Sequence, residues 1–230
     1  THELRTPIFL ITAPLEELMS SAKGPVQVPK SYLSAMYRNA MRLNKLISRI
    51  IDFRKLESGK LKLETQRLNV VAFCKDLTID YEALCQQKNI LFYFQPSKTV
   101  IQLDFDAEKL ESILSNLISN AFKYTSEEGK IIFSIDDAED AVLFTIEDNG
   151  IGIPEEYHDV IFDSFFQVDP SRASAMGDGI GLSFVKHLVE LHGGTVKVES
   201  QPERGAKFMF SIPKKDVEEV VEQLEQKSVI

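Results

Sequence analysis

The chain has 230 residues, 43 % of them hydrophobic, enough for two small domains or one large one with a buried core. A net charge of −9 and a pI near 5.1 argue against nucleic acid as a partner of this segment. No apolar run approaches the roughly 18 residues needed to span a bilayer, and no signal-peptide pattern is present, so this segment reads as cytoplasmic. Its abrupt start at a motif reads as a fragment, compatible with a full-length protein anchored in the inner membrane.

In chain order, Leu4, Ile8, Ile11, Leu15 and Leu18 step by four, three, four and three, a heptad seam that predicts a helix over residues 1–20. Gly24-Pro25 and Pro29 break it. A second helix over 31–57 repeats the steps at Met36, Ala40, Leu43, Ile47 and Ile50, with Leu33, Leu46, Ile51 and Phe53 beside them. Two helices with stripes this rich cannot bury everything against each other. The economical arrangement is an antiparallel helical hairpin that forms a dimeric four-helix bundle; the alternative is a hairpin packed on the rest of its own chain.

Ser58-Gly59 interrupts the second helix, and Leu61-Lys62-Leu63-Glu64 alternates like a short strand. The pattern then predicts a helix over 71–88, strands near 90–95 and 100–105, and a helix over 107–124. Strands near 130–136 and 141–148 flank the acidic turn Asp136-Asp137-Ala138-Glu139-Asp140. A loop-rich stretch over 149–178 leads to a helix over 180–192, the turn Gly193-Gly194, and strands near 195–200 and 206–212. Without a Rossmann-type βαβ fingerprint, this order predicts an α+β chain whose second domain is an α/β sandwich with a mixed or largely antiparallel sheet. The expected domains are 1–60, 61–213 and a helical tail or linker over 214–230, where Val217, Val220, Val221 and Leu224 have helical spacing. Cys74 and Cys85 sit 11 residues apart in one predicted helix, about 16 Å along its axis, too far to bridge.

Four motifs carry chemistry. His2 lies two positions before Leu4 and so points away from the seam, where another domain can reach it. A neutral imidazole is a nucleophile, adjacent Glu3 can orient it and take its proton, and Thr6 lies one turn on along the same face. Pro7 is expected to bend the helix. Asn116, Asn120, Lys123 and Tyr124 share a helix; two amide carbonyls and an ammonium suit a triphosphate with Mg²⁺, although any polar helix face shows such residues. In Asp148-Asn149-Gly150-Ile151-Gly152 an acceptor-only carboxylate opens a glycine turn, able to receive an exocyclic amine or simply to connect two strands. Gly177-Asp178-Gly179-Ile180-Gly181-Leu182 runs into a helix N-terminus, where backbone N–H groups can meet phosphate oxygens. Each motif alone is weak; the order and spacing of the set are specific.

From His2 to about Pro213 the chain resembles the sensor histidine kinases of two-component signalling, including the hybrid kinases. The resemblance implies that ATP phosphorylates His2, with Glu3 as base, and that the phosphoryl group passes to an aspartate of a response-regulator receiver domain. It implies that Thr6 serves a phosphatase reaction, that Asn120 is the chief Mg²⁺ ligand beside Asn116, and that Lys123 and Tyr124 approach the phosphates and sugar. By the same resemblance, Asp148, with Gly150 and Gly152, is expected to read the adenine amino group, and Gly177, Gly179, Gly181 and Leu182 to form the phosphate loop. Ile161-Phe162-Asp163-Ser164-Phe165-Phe166 resembles the motif that bounds the ATP lid. The resemblance also implies a homodimer and an upstream sensor domain outside this segment. Two positions depart from the pattern. Gln167 stands where the family often has arginine, with Arg172 the candidate replacement from the lid, and Asp178 stands at a position commonly small or hydroxylated. The competing readings are an ATPase of the gyrase, MutL and heat-shock chaperone superfamily and a nucleotide-binding dimeric scaffold. The ATPases have a glutamate at the place of Asn116.

Overall fold

The computed structural model describes residues 2–21, 28–57, 62–164, 166, 168 and 180–214, with side chains described for all of these except 2–6, 21, 42, 44–46 and 48–57. The chain divides into two compact units, Thr1–Leu61 and Lys62–Ile230.

The first unit is helical. Helix α1 spans His2–Ser21 and continues through Pro7 and Pro14, and α2 spans Lys30–Glu57. The two pack against each other, yet much of their apolar surface stays in solvent: Phe9 is 64 % exposed, Tyr37 68 % and Met19 79 %. Of the expected seam, Ile8 and Leu15 are exposed while Ile11 and Leu18 are half-buried. One hairpin is too thin to cover both stripes, as helical packing requires.

The second unit does not open on the strand expected from the alternation before Gln66. Residues 62–65 have no regular structure, and the first strand, β1, is Gln66–Asn69. Its antiparallel partner β3 (Gln102–Phe105) is four residues long and pairs from Gln66↔Phe105 to Asn69↔Gln102, so residues 62–64 have no ladder to join. Glu64 instead donates its N–H to the Asp106 carboxylate at 2.9 Å. Helix α3 (Val70–Gln87) starts at Asn69, whose side chain accepts from the Val71 N–H at 3.2 Å, an N-cap. Cys74 and Cys85 are both free and buried in this helix, and burial pushes both thiols up.

The main sheet has five strands: β2 (Leu91–Pro96), β4 (Lys130–Asp137), β5 (Ala141–Asp148), β6 (Val196–Gln201) and β7 (Gly205–Pro213). Their order is β2-β4-β5-β7-β6; β2 and β4 are parallel and the other neighbours antiparallel, a mixed sheet. Alternate residues point into the core: Ile131, Phe133 and Ile135 of β4, Val142, Phe144 and Ile146 of β5, and Phe208, Phe210 and Ile212 of β7. The register sets Phe144 opposite Phe210, and the two rings stack with centroids 4.5 Å apart. Helix α4 (Ala107–Tyr124) buries Leu110, Ile113, Leu114, Leu117, Ile118 and Ala121, and helix α5 (Gly181–Leu191) buries Phe184, Val185, Leu188 and Val189. These stripes recur every three or four residues, so the sheet face gains a helical layer.

Candidate active site

Helix α4 carries the polar face, and its start is set from two sides. Asp106 is the N-cap and accepts from Lys109 N–H at 3.1 Å. The Asp106 N–H in turn donates to His192 Nε2 at 3.3 Å. His192 is fully buried at the end of α5, and its Nδ1 lies 2.7 Å from the Leu188 carbonyl oxygen. A carbonyl only accepts, so Nδ1 carries the proton and Nε2 is the acceptor. Burial pushes the imidazole pKa down, which suits this neutral tautomer. His192 had no signal in the sequence beyond its place before Gly193-Gly194.

One turn after another along α4 come Asn116, Asn120 and Lys123, at positions that share a helix face. Asn116 is 8 % exposed, and its Nδ2 donates to the Ser112 carbonyl at 2.7 Å. A Cβ placed on Gly181, the first residue of α5, would lie 3.0 Å from Asn116 Oδ1. The N-terminus of α5 and Asn116 of α4 are therefore neighbours. Asn120 and Lys123 are half-buried. Lys123 Nζ lies 3.1 Å from Tyr124 Oη and 4.6 Å from the centroid of that ring. Leu182 is half-buried beside Gly181.

Asp148 ends β5 and is 7 % exposed. Its Oδ1 accepts from the Gly150 N–H at 2.9 Å and from the Ala206 N–H at 3.4 Å. Burial pushes the carboxyl above the usual carboxylate range, and the two N–H donors act against that shift. The turn after Asp148 meets the end of α4: Ile151 N–H donates to the Tyr124 carbonyl at 3.3 Å, and a Cβ on Gly150 would lie 2.3 Å from that oxygen. Gly152 has φ +68, and a Cβ there would lie 1.9 Å from the Gln201 carbonyl oxygen. Both glycines are thus required by close backbone approach within the protein itself.

The β6–β7 hairpin, which the sequence did not single out, backs this turn. Ile153 N–H donates to Ser200 Oγ at 2.8 Å, and Ser200 Oγ donates to the Gly205 carbonyl at 2.7 Å. Glu203 N–H donates to the Ile151 carbonyl at 2.8 Å. In the aromatic motif, Ile161 and Phe162 are buried and Phe166 lies 5.6 Å from the Tyr157 ring.

The donor set fits an adenine nucleotide. A buried carboxylate has one oxygen held by backbone N–H groups, and beside it run a half-buried amide and an ammonium on one helix. The side chains of His2, Glu3 and Thr6, together with Gln167, Arg172, Gly177, Asp178 and Gly179 and the tail from 215, lie outside the described residues. Among the described residues, no group of three or more His, Cys, Asp or Glu could hold a metal, and no helix is long and apolar enough to cross a membrane.

Residues 1–59 match the family model of the His Kinase A (phospho-acceptor) domain. Residues 105–216 match the model of the histidine kinase-, DNA gyrase B- and HSP90-like ATPases. Histidine kinase P4 of Formosa agariphila is 36 % identical over 217 residues, which cover 93 % of this chain and 16 % of that protein. The chain thus spans about a sixth of the length of that relative. Among solved structures, the catalytic domain of histidine kinase ThkA is 30 % identical with a TM-score of 0.59, over 66 % of this chain and 96 % of that domain. Histidine kinase ThkA in complex with response regulator protein TrrA is 26 % identical with a TM-score of 0.70, over 93 % of this chain and 59 % of that one.

Proposed function

Because the chain belongs to the histidine kinase family and carries that family's ATP-binding domain, we propose that it phosphorylates its own His2 from ATP and passes the phosphoryl group to an aspartate of a response-regulator receiver domain. The observation that carries this reading is the buried Asp148 carboxylate, whose turn packs on the end of the same helix that bears Asn116, Asn120 and Lys123. Asp148 accepts from the adenine amino group, which favours ATP over GTP, since guanine has a carbonyl at the matching ring position. Asn120, with Asn116 beside it, would hold Mg²⁺, which would offset the negative charge of the phosphates, and Lys123 and Tyr124 meet the phosphates and sugar. The N-terminus of α5, with Gly177, Gly179, Gly181 and Leu182, offers N–H groups to the phosphates.

In the transfer step a neutral His2 ring nitrogen attacks the γ-phosphorus. A P–N bond forms, the bond to the β-phosphate oxygen breaks, and ADP leaves with that electron pair. Glu3 takes the proton from the other ring nitrogen. Arg172 supplies positive charge from the lid in place of the arginine absent at Gln167. Thr6 serves dephosphorylation of the regulator. The exposed apolar residues of α1 and α2 support a homodimer through a four-helix bundle, and the complex of ThkA with its response regulator supports a receiver domain as partner. The proposed domains are 1–60 for dimerisation and phosphoacceptance, 61–213 for catalysis, and a helical tail or linker over 214–230. A sensor domain upstream and a full-length protein anchored in the inner membrane complete the reading.

Incubation with γ-labelled ATP tests it. Acid-labile, base-stable label on the protein is expected. Free phosphate alone would mean an ATPase, and neither product would mean a scaffold. Asparagine at 116 speaks against the ATPase, because an amide has no basic carboxylate to activate water. Asp148→Asn is expected to weaken ATP binding by about 1.5–3 kcal/mol, roughly 10- to 150-fold, through loss of a charge-assisted hydrogen bond. Calorimetry showing an unchanged affinity would remove Asp148 from adenine recognition.

A further inference from the structure

We propose that Ser200 is a positioning residue for adenine recognition, its hydroxyl tying the turn after β5 to the β6–β7 hairpin and so holding the Asp148 carboxylate in place. The proposal rests on the reading of Asp148 as the adenine contact.

The geometry is a closed set of bonds around one oxygen. Ser200 Oγ accepts from Ile153 N–H at 2.8 Å and donates to the Gly205 carbonyl at 2.7 Å. A hydroxyl has one proton and two lone pairs, so both bonds form at once. Ile153 lies three residues after Gly150, and Gly205 directly precedes Ala206. Gly150 and Ala206 are the two residues whose N–H groups hold Asp148 Oδ1. Ser200 therefore grips the chain directly beside one donor and three residues after the other. The register places Ser200 opposite Ala206 and Gln201 opposite Gly205, which fixes where the Ala206 N–H points. Among the described residues both donors to this carboxylate go to Oδ1, so Oδ2 is the oxygen presented to a ligand amine. The longer of the two bonds, 3.4 Å from Ala206, is the one that a small shift of the hairpin would break.

The side chain at 200 acts through Asp148 and not by touching the ligand. Affinities of ATP and of purine riboside 5′-triphosphate, which lacks the 6-amino group, are measured by calorimetry for the full chain and its variants. Ser200→Ala is expected to weaken ATP about three- to tenfold and the amine-free analogue less than about twofold. Ser200→Thr, which keeps the hydroxyl on a strand-compatible residue, is expected to stay within about twofold of the parent for both ligands. In the Asp148→Asn background, Ser200→Ala is expected to cost less than about twofold more, since coupled residues are not additive. Equal weakening of the two triphosphates, or an undiminished loss in the Asp148→Asn background, would mean a general structural role and overturn the proposal. An ATP affinity unchanged by Ser200→Ala, with Asp148→Asn still weakening it, would overturn the Ser200 role alone. An affinity unchanged by Asp148→Asn would overturn the adenine reading and this proposal with it. If Ser200→Ala does not fold, Ser200→Cys, a weaker donor, is expected to give the same ordering of the two ligands, and equal losses would again count against the proposal.

Discussion

His2→Gln is expected to carry no phosphoryl label after incubation with γ-labelled ATP, while it folds, associates and binds ATP as the parent does. Glutamine approximates the reach of histidine, but its amide nitrogen has its lone pair delocalised into the carbonyl and is not a nucleophile. Nothing else in the helix start replaces the imidazole. Glu3 would have no ring to orient, and the Thr6 hydroxyl is a poor nucleophile at its ordinary pKa. The fold is expected to survive because position 2 lies at the very start of α1 and outside the apolar seam, and glutamine is a good helix former. Helical content by circular dichroism, oligomeric state by light scattering and ATP affinity by calorimetry check that the loss is chemical. Acid-labile label retained on the variant would assign the phosphoacceptor to another residue.

Gly205→Ala is expected to lower the stability of the second unit by about 2–6 kcal/mol, from left-handed backbone strain together with overpacking. Gly205 has φ +87, a region that alanine adopts only with strain, and its Cβ would lie 1.9 Å from the Asp148 carbonyl oxygen and 2.7 Å from Asn149 Cα. Both neighbours are backbone, so no side chain can rotate out of the way. Relief requires the hairpin to move off the turn after β5, which would pull Ala206 N–H from Asp148 Oδ1 and Gly205 from Ser200. Against a typical domain stability of about 5–15 kcal/mol this is a large fraction. The loss is read from urea unfolding at constant slope. A change within about 0.5 kcal/mol, the range of ordinary surface substitutions, would show that hairpin and turn are not pressed together.

The second unit's elements lay mostly in plain view in the sequence. Helix 107–124 matches Ala107–Tyr124 because Asp106 caps it and its apolar residues recur at helical spacing. Strands 130–136 and 141–148 match within a residue because they alternate, and the acidic turn between them marks the hairpin. Of the strand expected at 61–64, residues 62–64 have no regular structure and Leu61 lies outside the described residues; alternation over four residues says nothing about whether a partner strand is present. The first β-ladder begins at Gln66, where β3 is there to pair with it.

Local patterns also carried the candidate site as a set of motifs: a histidine and acid at a helix start, amides one turn apart, an Asp-Asn-Gly turn, and a glycine loop before a helix. What holds those motifs was not legible. Ser200 meets Ile153 across 47 residues of chain, Asp148 meets Ala206 across 58, and His192 meets Asp106 across 86. Periodicity and turn chemistry report on a residue's own neighbourhood, so they determined which segments become helices and strands and which face is apolar. The order β2-β4-β5-β7-β6, the parallel pairing of β2 with β4, and the close approach of the hairpin to the turn after β5 are properties of the sheet register. Only the tertiary structure decided them, because a hydrogen bond between distant segments depends on where the whole sheet places each backbone, and no local pattern encodes that position.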